Sequence, residues 1–130
     1  MPRYDRESFS PPAPVARVTL RSLDHRATEA NVPMLLDTGA DVSLVPRAAL
    51  ERLGLSDEVA RRFQVAGFDG RATSADSCDL EMVLARRTFR GSFLVIEEEW
   101  GILGRNVLNS LSIVYDGPRL TWDLAGRLGP

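Results

Sequence analysis

Apolar and polar residues alternate with a period of two along much of this chain, and turn formers interrupt the alternation at short, regular intervals. Ala16, Val18 and Leu20 alternate with Val15, Arg17, Thr19 and Arg21, the pattern of a half-buried strand. Leu23 to Glu29 is polar and reads as a hairpin loop, and Ala30 to Leu36 returns as a second strand. Pro33 inside it predicts an edge or a bulge. Val42 to Val45 is a short apolar strand. Pro46 then opens a helix at its favoured first position, and Gly54 closes it. Arg61–Ala66 and Ala72–Ser77 flank Gly67-Phe68-Asp69-Gly70, a glycine-bounded hairpin tip. Leu80 to Leu84 and Phe93 to Ile96 are strands joined by a basic connection over Arg86 to Arg90. Val107 to Leu111 suits one or two helical turns. Ser112–Tyr115 and Arg119–Asp123 flank a last hairpin turn at Asp116-Gly117-Pro118. Many short strands with evenly spaced turns predict an all-β, barrel-like fold with one or two short helices.

At 130 residues the chain suits one domain with a sizeable core. The proline-rich stretch 1–14 buries little and reads as a mobile tail, leaving residues 15–130 as the folded domain. A net charge of -2 argues against a nucleic-acid footprint, which needs a basic surface. No apolar run approaches the roughly 18 residues needed to span a membrane. The N-terminus lacks the apolar core of a secretion signal, and one cysteine, Cys78, permits no internal disulfide. Both point to a reducing, cytoplasmic setting. The one histidine, His25, falls in a turn, so neither a thiol nucleophile paired with it nor a metal site is expected.

The chemistry is concentrated in Met34-Leu35-Leu36-Asp37-Thr38-Gly39-Ala40-Asp41. An apolar strand delivers one carboxylate to a tight turn, where glycine gives the backbone freedom and a small hydroxyl residue can lock the turn. Far downstream lies Gly101-Ile102-Leu103-Gly104-Arg105-Asn106-Val107-Leu108. Two carboxyl groups sharing one proton can hydrolyse a peptide with neither metal nor cofactor: one acts as base on water while the other donates to the carbonyl oxygen. The other Asp-Gly pairs, Asp69-Gly70 and Asp116-Gly117, lack the intervening hydroxyl residue, so the chain supplies half of such a site.

The two motifs, in this order and at this separation, resemble the retropepsin family of aspartic proteases, in a terse, bacterial-looking form. The resemblance covers Val15 to Leu124. It implies a closed or partly open β-barrel with a flap hairpin, and a homodimer that cleaves peptides or proteins by pairing Asp37 with its symmetry mate. It makes Asp37, Thr38 and Gly39 the catalytic turn, with Thr38 bracing the paired turns. It implies that Arg105, between Gly104 and Asn106, packs beneath the site and holds Asp41, which also contacts substrate backbone. By the same match Leu35, Ala40, Val42, Leu44, Trp100 and Ile102 line substrate subsites, with ordinary core packing as the alternative for the large apolar ones. Gly67 and Phe68 fall at the flap tip, where Asp69 replaces a more typical glycine.

Two other classes compete. A catalytically weak module could keep the fold for dimerisation or peptide binding. A paired-carboxylate glycosidase also needs two acids, but its sites carry aromatic sugar platforms, and aromatic residues are only 7% of this chain.

Overall fold

A computed structural model describes residues 2–66 and 72–125 of the protein. Its strands are β1 (Tyr4–Asp5), β2 (Ala13–Arg21), β3 (Thr28–Leu36), β4 (Leu44–Pro46), β5 (Ala60–Ala66), β6 (Ala72–Leu84), β7 (Arg87–Ile96), β8 (Gly101–Leu103), β9 (Ile113–Asp116) and β10 (Thr121–Leu124). Two short helices, α1 (Arg47–Arg52) and α2 (Arg105–Leu108), interrupt them. The order β2-β3-β8-β4-β7-β6 closes on itself through a further β2–β6 pairing, so six strands form an all-β barrel. β9 and β10 form a separate two-stranded sheet.

The period-two pattern sorts side chains as expected. Ala16, Val18 and Leu20 point into the barrel, where Val32, Met34, Leu80, Met82 and Leu103 meet them. The register shifts between Val18 and Leu20, and the extra residue lies on β3, where Asn31 takes a left-handed φ of 59°. The bulge therefore sits at Asn31, and Pro33 is accommodated differently. β8 begins opposite Met34, so on that side Pro33 has no ladder partner to satisfy. Pro46 is the N-cap of α1, one residue earlier in role than its sequence suggested. Gly54 closes the helix at φ 73°, its N–H donating to Glu51 O at 3.0 Å.

The structure corrects two readings. The stretch 1–14 is not a free tail over its described part. Tyr4 and Asp5 pair with Pro14 and Ala13, Tyr4 N–H donates to Leu120 O at 2.9 Å, and Trp122 N–H donates to Pro2 O at 3.1 Å. The prolines bar a helix, but the segment finds a partner in β10, the last of the described strands, which no local pattern announces. The basic connection also shrinks to Ala85 and Arg86, both at left-handed φ, and Arg87 to Phe89 join β7. Because this arm carries exposed positions, it reads as loop by composition alone.

A buried carboxylate staples the closure. Glu81 on β6 pairs across the ladders with Arg21 of β2 and Arg90 of β7. Arg21 Nη2 lies 2.8 Å and Arg90 Nη1 3.0 Å from its carboxylate, and His25 Nε2 lies 2.8 Å away. The side chain is only 7% exposed. Burial opposes its charge, but the hydrogen bonds from Arg21 and Arg90 and the nearby His25 prevail and hold the carboxyl below its ordinary range.

Candidate active site

β8 explains how the site is assembled. It slots between β3 and β4, parallel to the first and antiparallel to the second, so the chain joining β3 to β4 must loop over its end. That loop, residues 37–43, carries Asp37. Glycine makes the insertion feasible at two points. A Cβ on Gly101 would stand 2.4 Å from Leu44 O, and one on Gly104 would stand 2.3 Å from Val42 O. No larger residue fits without moving backbone.

Asp37 follows the buried Leu36 and is itself half-buried. Its N–H donates to Leu103 O at 3.0 Å, extending the β3–β8 ladder by one bond. Gly39 N–H donates to Asp37 Oδ1 at 2.9 Å, and Ala40 N–H donates to Asp37 O at 3.2 Å. The carboxylate is thus oriented by its own turn, in the manner of an Asx-turn. Thr38 is exposed, and its side chain makes no hydrogen bond among the described residues.

The downstream motif locks the loop from below. Arg105 N–H donates to Ala40 O at 2.8 Å, and Arg105 Nη1 donates to Thr38 O at 2.7 Å. The expected ion pair between Arg105 and Asp41 does not form in the single chain: Asp41 is exposed, and the guanidinium is engaged by the Thr38 carbonyl of the Asp-Thr-Gly turn. Ser43, a residue the sequence reading passed over, is the centre of the support. Its Oγ donates to Asn106 Oδ1 at 2.7 Å and accepts from Gly104 N–H at 3.0 Å, and the residue is 1% exposed. The available signal was a lone hydroxyl in the apolar run Val42-Ser43-Leu44-Val45, where only a partnered hydroxyl is cheap to bury.

Leu35, Ile102, Leu44 and Leu94 lie in one row across β3, β8, β4 and β7, because each is the register partner of the next. Leu35, Leu44 and Ile102 stay partly exposed, as do Val42 and Trp100, and none of these five joins the barrel core. An apolar strip on the outer face therefore adjoins the loop that carries Asp37. Ala40 is half-buried beside it. Trp100 contacts Phe9. The arms of the hairpin expected to form a flap, β5 and β6, pair from Phe63↔Ala75 to Ala66↔Ala72, and the candidate residues Gly67 and Phe68, with Asp69, lie outside the described residues. Cys78 is buried in the core, where burial pushes its thiol up, away from nucleophilic use.

A barrel of this order, with an Asp-Thr-Gly turn threaded over an inserted strand, defines the class of aspartic proteases of retroviral type. The family model for the gag-polyprotein putative aspartyl protease matches residues 23–110, and the chain belongs to that family. Among solved structures it is similar to the EIAV protease complexed with the inhibitor HBY-793: 26% identity, 75% of this chain and 86% of that one covered, TM-score 0.53. No curated protein sequence matches the chain significantly.

Proposed function

We propose that the protein is a homodimeric aspartic endopeptidase in which Asp37 of two identical subunits forms the catalytic pair. The observation that carries this reading is the presentation of Asp37: one carboxylate, oriented by Gly39 N–H and tied to Leu103 O, at the edge of a partly exposed apolar strip. One such turn is half a site. Two brought together about a two-fold axis share a proton, because like charges in contact do not both persist. One carboxylate then takes a proton from water, and the other donates to the peptide carbonyl.

The outer edge of β9 supports the two-fold assembly. Among the described residues it has no ladder partner, Val114 and Tyr115 are 46% and 44% exposed, and the strand carries no lysine, arginine or proline to guard it. Antiparallel pairing of an edge with its own copy is isologous. Leu35, Val42, Trp100 and Ile102 would line the subsites, Asp41 would meet substrate backbone, and the β5–β6 hairpin would close over it as a flap. A cytoplasmic setting suits the single buried thiol.

The test is cleavage of an unstructured protein substrate by wild type and by Asp37→Asn, with sedimentation on both. A dimer that cleaves only with Asp37 intact supports the proposal. A stable dimer that binds peptide without turnover establishes the alternative, a binding module. A monomer that cleaves refutes the half-site.

A further inference from the structure

The N-terminal segment has a second role to account for. Asp5 pairs with Ala13, so residues 6–12 form a loop pinned at both ends. Its first turn is organised by Asp5 Oδ1, which accepts from Glu7 N–H and Ser8 N–H, each at 2.9 Å. The next residue is Phe9. Its ring meets Trp100 with centroids 4.9 Å apart and planes at 57°. This tilted pair has favourable aromatic geometry, yet neither ring belongs to the barrel core and both remain partly exposed.

Trp100 immediately precedes β8, three residues before Leu103, whose carbonyl holds Asp37 N–H. Three strand residues span about 10 Å. An extended peptide advances by the same increment, so Trp100 stands within reach of a side chain two or three positions from a bond held at Asp37. Phe9 is therefore an aromatic surface brought from the far end of the sequence to the rim of the proposed cleft.

We propose that Phe9 is a specificity-determining residue: with Trp100 it walls a subsite for a large apolar side chain of the peptide substrate. This rests on the endopeptidase reading above. Phe9 does not touch the reacting atoms. It extends the wall that Trp100 begins, so a bulky aliphatic or aromatic side chain gains contact that a small one cannot make.

The test uses a peptide panel differing only by Phe, Leu, Val or Ala at each position from three before to three after the cleaved bond. Against wild type, Phe9→Ala should lower kcat/KM by about tenfold for peptides with Phe or Leu at one position, through KM, and leave the Ala peptides unchanged. Phe9→Leu should restore most of the loss. A uniform change across the panel would mean that Phe9 only packs the loop, and no change would mean that the pair lies off the substrate path; either overturns the proposal. If Phe9→Ala does not fold, the panel is read with Phe9→Leu and Phe9→Met, where an unshifted size preference is equally fatal. If wild type cleaves nothing, the endopeptidase reading falls separately. The selectivity is then read as binding of fluorescently labelled peptides, and a preference for large side chains that Phe9→Leu does not alter refutes the subsite.

Discussion

Replacing Ser43 by alanine should damage this protein more than its size suggests. The hydroxyl satisfies two groups at once: it donates to Asn106 Oδ1 and accepts from Gly104 N–H. The Asn106 side chain is exposed, so that bond is replaced by water and its loss costs about 1 kcal/mol. Gly104 is buried, and its N–H has no second partner among the described residues, so leaving it unsatisfied costs about 1–3 kcal/mol. The sum is about 2–4 kcal/mol. With a urea m-value of about 2 kcal/mol/M, the middle of the usual range, the unfolding midpoint should fall by about 1–2 M. Protomer concentration must be matched, since association adds its own stability. Asn106→Ala should cost only about 0.5–1.5 kcal/mol. The double variant should cost little more than Ser43→Ala, because the second substitution removes a partner already lost. Strictly additive losses, or a Ser43→Ala midpoint within about 0.3 M of wild type, would show that the hydroxyl does not hold the loop against β8.

Asp37→Asn should retain wild-type circular dichroism and thermal midpoint while peptide cleavage falls to background. Specific activity should decline on dilution, and excess Asp37→Asn subunits should poison wild type; activity constant down to a sedimenting monomer would contradict the shared site. Gly101→Ala, which drives a Cβ into Leu44 O and the Met34 sulfur, should destabilise by about 1–3 kcal/mol, read as a lower thermal midpoint. Glu81 ionises more readily in the fold than in the unfolded chain, so its contribution is complete above its ordinary value of 4.5 and disappears as pH falls through the lowered folded value. Wild type should therefore exceed Glu81→Gln in stability at neutral pH and converge on it in acid, as followed by urea unfolding from pH 7 to 3.

Local chemistry made the Asp-Thr-Gly turn legible as a turn. Asp37 to Gly39 is a strand end followed by a turn, and both its cause and its signal lie within a few residues. The same holds for Gly54 behind α1. The strand nature of β2 followed from its alternation, because one of its faces is buried in the barrel, and β3 followed as the strand returning from the hairpin loop. What escaped reading depends on partners distant in sequence. Glu81 looks like an ordinary outward polar residue of an alternating strand, and only closure of β2 and β7 around it buries the charge among Arg21, His25 and Arg90. Residues 2–5 have no periodicity of their own and become ordered by borrowing the edges of β10 and β2. Arg105 was assigned the right neighbourhood, but its hydrogen bond goes to the Thr38 carbonyl instead of the Asp41 carboxylate, a choice set by backbone geometry that residue types do not encode.

The insertion of β8 between β3 and β4 also dictates when in the life of the chain the site can exist. Asp37 N–H is held by Leu103 O, and Met34 pairs with Gly101, so the turn is completed by residues synthesised long after it. Closing so long a loop is paid in entropy before contacts reward it, which places strand insertion late among folding events. A chain still emerging from the ribosome would hold the Asp-Thr-Gly sequence without its geometry. Substitution of Gly101 should then accelerate unfolding while leaving the folding rate nearly unchanged. A slowed folding limb instead would put the insertion at the nucleus. Late assembly therefore means that the Asp-Thr-Gly turn stays without its supports until β8 has been synthesised and inserted.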